Sequence, residues 1–110
     1  MSKPTFAIKR GDLEPPLPLN LMSGDDGADI STATTVKVLA RITDSSGTTF
    51  GGTIAGPYPA DGQVEYVWVA GDTDTVGTYR VEVEVTWPGG RKQTFPPSGY
   101  STVSINADLG

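Results

Sequence analysis

The chain has 110 residues, thirteen acidic against eight basic side chains for a net charge of −5, and neither cysteine nor histidine. Without thiols there are no disulfides or thiolate sites, and without imidazole the commonest general base, metal ligand and pH switch are gone. The cations are scattered, with only Lys9-Arg10 and Arg91-Lys92 adjacent, which argues against nucleic acid; no eighteen-residue apolar run offers a membrane span, and "MSKPTFAIKRGD" has no apolar run of signal-peptide length.

The length predicts one domain, residues 1–110, with a single core. Fourteen glycines and nine prolines punctuate short alternating runs, the pattern of an all-β domain. "TFAIK" (5–9) reads as a first strand. The prolines of "EPPLPLNL" (14–21) exclude a helix or central strand, yet Leu17, Leu19 and Leu21 alternate and predict an extended segment on the core. "SGDDGAD" (23–29) reads as a turn. In "TTVKVLARI" (34–42), Val36, Val38, Ala40 and Ile42 share one strand face while Lys37 and Arg41 share the other. After the turn "DSSG" (44–47), "TTFGGTI" (48–54) predicts a weaker strand that Gly51-Gly52 bulges or bends. "GPYPADG" (56–62) is a loop, and "QVEYVWV" (63–69) a strand with Val64, Tyr66 and Trp68 on one side.

Next, "GDTDTVGTYRVEVEVTW" (71–87) runs from a polar turn into the most regular alternation of the chain. Tyr79, Val81, Val83, Val85 and Trp87 are expected inside, and Thr78, Arg80, Glu82, Glu84 and Thr86 outside, where the charges describe a solvated face. "WPGGRKQTF" (87–95) predicts a hairpin on Pro88-Gly89-Gly90, "FPPSGY" (95–100) is irregular, and "STVSINADL" (101–109) closes with Val103 and Ile105 inward. No helical period persists beyond a turn. About seven antiparallel strands without a disulfide predict an immunoglobulin-like β-sandwich. A small barrel would show the same alternation.

The aspartate turn has two readings. As a calcium loop counted from Asp72, Asp74 and Gly77 fit positions 3 and 6, but Val76 and Val83 occupy positions that need oxygen ligands. As architecture, Asp74 caps the turn, Gly77 supplies a backbone conformation other residues avoid, and Tyr79 enters the core. Asp74-x-x-Gly77-x-Tyr79 is similar to the tyrosine corner of immunoglobulin-like domains, one residue longer, with Val81 where an antibody domain has its second cysteine. The architectural reading accounts for more residues. "DDGAD" (25–29) likewise has the composition of a turn. No motif presents a nucleophile–base pair or paired carboxylates, so neither an enzyme nor a cofactor is expected. Pro15-x-x-Pro18 has the bare spacing of a polyproline ligand, but its leucines point to a core-docked edge. "GGTIAG" lacks the lysine of a phosphate loop.

Taken together, "FAIKRGDLEPPL", "DGADISTATTVKVLARI", "DGQVEYVWVAGDTDTVGTYRVEVEVTWPGGRKQTFPPSGY" and "VSINADL" resemble a bacteriophage virion domain. The resemblance is to the immunoglobulin-like N-terminal domain of phage baseplate upper proteins and its stand-alone relatives. It implies a non-catalytic structural protein, present in many copies on the capsid surface, at the head–tail junction, or on the tail or baseplate. The implied partners are other virion proteins (major capsid, connector or tail proteins) or a symmetric oligomer of itself, with the host cytoplasm as the place of assembly. Docking is expected by strand addition at an edge or through the ends and the proline-rich segment. The candidate contacts are Lys3, Pro4, Phe6, Pro15, Pro16, Asp108 and Leu109, with Phe50 and Tyr58 as exposed candidates beside them. The ends could equally pack on their own domain. A second reading makes Trp68, Trp87, Tyr58 or Tyr100 a stacking platform for carbohydrate, and a third, calcium-dependent module rests on the aspartates above.

Overall fold

A computed structural model describes residues 5–95 and 102–107, and among these there is strand and turn but no helix. The strands are β1 (Thr5–Lys9), β2 (Leu17–Asn20), β3 (Met22–Ser23), β4 (Asp26–Gly27), β5 (Thr35–Ile42), β6 (Thr49–Ile54), β7 (Gln63–Tyr66), β8 (Gly77–Thr86), β9 (Lys92–Phe95) and β10 (Thr102–Asn106). The main sheet runs β1-β10-β8-β5-β6. β8 is its longest strand, ten residues. β5 takes one side of β8, so β10 and β9 must follow one another along its other side.

A second sheet pairs β2 with β7, and β3 with β4 forms a short hairpin that begins at Met22 and overlaps the segment 23–29 expected to be a plain turn. Both larger sheets bury into one cluster: Leu17, Leu19, Val64 and Tyr66 from the pair, and the inward valines of β5 and β8 from the main sheet. Pro18 lies within β2, which proline tolerates because β7 is its only partner among the described residues. Leu21 follows, also buried.

Five rings tie the layers together. Phe50 lies 5.2 Å from Trp68 and 5.1 Å from Tyr79, the latter edge-on, while Trp68 stands 5.6 Å from Tyr66 and 6.2 Å from Phe6. Tilted and edge-on pairs at these spacings add attraction beyond the area they bury. Ala40, opposite both Phe50 and Val81, is the small residue in this row.

Several expectations need correction. The sheet is mixed, because β1 joins β10 in parallel; no hairpin links these two segments, so no turn dictates an antiparallel match. The β5–β6 ladder pairs residue by residue from Val36↔Ile54 to Arg41↔Thr49, so Gly51-Gly52 makes no bulge. That register also reverses the expected exposure of Phe50. Its partner Ala40 faces inward, cross-strand partners share a face, and Phe50 is 8% exposed. Phe6 is buried for the same kind of reason, opposite Val103. The strand drawn over 63–69 ends at Tyr66, although Trp68 keeps the inward register. Trp87 is half-buried against the core rather than inside it.

Candidate functional site

The turn between β7 and β8 is built by Asp72. Its Oδ2 accepts from the Tyr66 hydroxyl at 2.6 Å and from the Val69 amide at 2.9 Å, while its own amide donates to the Val69 carbonyl at 3.0 Å. Asp74, the residue expected to cap, makes no side-chain hydrogen bond to another described residue; only its amide is engaged, with Gly71 O at 3.3 Å. The cap is therefore two residues earlier. It comes with a hydroxyl donor from β7, six residues upstream, that turn chemistry alone does not reveal. Burial, and then hydrogen bonding and charge from Asp72, push the Tyr66 phenol well above its ordinary range.

Thr73, 1% exposed, clips a distant loop to this turn. Its Oγ1 donates to the Asp12 carbonyl and accepts from the Gly11 amide, both at 3.0 Å. The Trp68 Nε1–H donates to the Pro15 carbonyl at 2.8 Å, fastening the same loop again. Tyr79, 1% exposed, sends its hydroxyl back to the Thr75 carbonyl at 2.7 Å. Burial raises its pKa, with Asp44 adding to the effect. Gly77 leaves room for Ile42: a Cβ there would lie 2.5 Å from Ile42 Cδ1. The other acidic turns bond locally. Asp29 and Asp44 each accept from the residue two ahead, which holds both carboxyls below the usual range. Among the described residues no three acidic side chains converge as a cation cage would require.

The opposite character appears on the outer face of β5, β6 and β8, where a groove of about 1130 Å³ opens. Leu39 forms its apolar floor and is 38% exposed. On one side of it Arg41 stands directly opposite Arg80, a like-charged cross-strand pair of the kind that destabilises a sheet. Neither guanidinium has an ion-pair or hydrogen-bond partner among the described residues. Glu82 faces Leu39 from one neighbour strand, and Gly51 faces it from the other. Asp44 and Asp72 reach the rim, each with one carboxylate oxygen engaged in its own turn, Oδ1 of Asp44 and Oδ2 of Asp72. Gly51 has φ +152°, and a side chain there would run into the Val38 carbonyl, so the wall of the groove is open at this point.

Among the described residues β6 is also the end of the main sheet. The Ile42 amide donates to the Thr48 carbonyl, which sets the phase of the ladder. Alternation then turns the backbone of Phe50, Gly52 and Ile54 towards β5, and that of Thr49, Gly51 and Thr53 towards the open side. "TFGGTI" carries no charge and no proline, the usual protections of an edge. At the other end of the sheet, β1 carries Lys9.

These features distribute the sequence-predicted residues unevenly. Gly77 and Tyr79 meet in the turn, with Asp74 beside them and outside its hydrogen bonds. Pro15 is exposed and Pro16 half-buried, and Pro15 serves Trp68 through its carbonyl. Tyr58 is half-buried rather than exposed, its hydroxyl donating to the Ile54 carbonyl at 2.9 Å. Of the stacking candidates, Trp68 is 3% exposed and Trp87 bonds Gln93 through its indole N–H. Lys3, Pro4, Tyr100, Asp108 and Leu109 lie outside the described residues. The Arg41–Arg80 pair and the Gly51 gap lie outside the sequence-predicted set. Their sequence signals are an apolar Leu39 in the outward register of β5 and a glycine that pairing sets opposite it.

No family model, no curated protein and no solved structure matches this chain.

Proposed function

We propose that this chain is a non-catalytic immunoglobulin-like module that docks in multiple copies on a bacteriophage particle, through contacts with capsid, connector or tail proteins. The strand order supports the architecture. β10-β8-β5-β6 corresponds to the G-F-C-C′ sheet of such domains and β2-β7 to the B–E pair facing it. Tyr79 then falls at the start of the F strand with its hydroxyl returned to upstream backbone, the tyrosine-corner arrangement. The phage context rests on the sequence resemblance.

The observation that carries a docking role is the unprotected end of the main sheet at β6. The polar groups of the β7–β8 turn are taken up in holding the fold together, whereas this edge and the face beside it carry groups without partners among the described residues. Mass spectrometry and electron microscopy of purified particles test the reading. The chain is expected at stoichiometric, symmetry-related positions. Its absence from purified particles would refute the proposal.

A further inference from the structure

We infer that the free edge of β6 accepts an extended acidic segment of another protein, added as a strand, with carboxylate side chains reaching Arg41 across the gap at Gly51. This rests on the docking role proposed above and specifies its partner chemistry. An added strand would lie about 4.8 Å beyond β6 and engage the outward backbone groups of Thr49, Gly51 and Thr53. Its side chains on the outer face would be two strands from Arg41, within the combined reach of an arginine and a glutamate. Thr49 is the β6 residue directly between Arg41 and the edge, and Gly51, the next outward position and opposite Leu39, presents no side chain, so the approach runs diagonally past Thr49. Arg80, directly behind Arg41, repels that guanidinium towards the edge. A carboxylate there would relieve a like-charge pair, and a bidentate arginine contact is the strong form of such a bond. Glu82 lies in the same groove, opposite Leu39, and makes no ion pair with either arginine.

A second copy of this chain is the less suitable occupant. The outward residues of β6 are Thr49, Gly51 and Thr53, so pairing edge to edge would bring no carboxylate from that strand to Arg41.

The test uses the intact protein and two synthetic twelve-residue peptides in which valine and threonine alternate with glutamate or, in the control, with glutamine. Amide chemical-shift titration is expected to show the glutamate peptide perturbing Thr49–Ile54 and Arg41, with the glutamine peptide about tenfold weaker or worse. Arg41→Glu should abolish the difference between the peptides while the variant remains folded, its melting temperature equal to or above that of the parent. Equal binding of both peptides, perturbation confined to other strands, or no binding of the glutamate peptide at millimolar concentration each overturns the inference. So does a dimer in sedimentation that buries β6. Particles that retain Arg41→Glu at the parental level would refute this edge while leaving the docking role intact; particles lacking the parent chain would refute the role and leave the peptide result standing.

Discussion

The turn between β7 and β8 and the edge at β6 are made from similar residues, small, polar and glycine-rich, yet they have opposite fates. In the turn, Asp72, Thr73 and Tyr79 all find internal partners, and one acceptor, the Asp12 carbonyl, is 61 residues away. At the edge, the outward backbone of three residues and the paired arginines behind them have no partner among the described residues. A polar stretch is therefore not functional because it is polar. What matters is whether folding satisfies it.

The strongest way to break this comparison is to attack the rings that join the two regions. Phe50→Ala is expected to cost about 3–5 kcal/mol in urea unfolding, since a buried ring leaves a cavity among Tyr66, Trp68 and Tyr79. A loss below about 0.5 kcal/mol would mean an exposed side chain and a different β5–β6 register.

Next in size is the Tyr66–Asp72 bond. Tyr66→Phe should cost about 1.5–3 kcal/mol at neutral pH, the range for a hydrogen bond to a charged acceptor. The same bond has a pH signature. The folded state raises the Tyr66 pKa above its unfolded value near 10, so its contribution is complete below that pH and declines as pH rises beyond it. Thermal melts from pH 8 to 11 should show parental stability falling at the alkaline end, with a smaller fall in Tyr66→Phe. Tyr79→Phe should be milder at neutral pH, about 1 kcal/mol by denaturant titration, because its acceptor is a neutral carbonyl.

The smallest effect sharpens the other side. Arg41→Glu should stabilise the free protein by about 0.2–1 kcal/mol, replacing a like-charged cross-strand pair by an opposite one. Destabilisation of that size would show that the parental arginine already has a stabilising partner.

Much of the fold was legible in the chain because its strands alternate cleanly. The inward sets of β5, β8 and β10 follow from period-2 patterning alone, and the three leucines of 17–21 announced themselves despite the prolines. What was not legible depends on pairing. Phe50 sits in a segment whose glycines suggest irregularity, and only its match to Ala40 fixes its direction. Asp72 and Asp74 are equally good turn residues; Tyr66 chooses between them. The candidate docking site was hidden for the same reason, since Arg41 and Arg80 are far apart in sequence and become neighbours only in the β5–β8 register.

Residue-resolved amide exchange of the free protein tests the contrast most directly. The amides of Thr49, Gly51 and Thr53 should exchange about tenfold or more faster than those of Phe50, Gly52 and Ile54, while Val69, held by the Asp72 carboxylate, stays protected. Equal protection along all of β6 would mean that its outer edge is already covered, and the docking site proposed there would have to be abandoned.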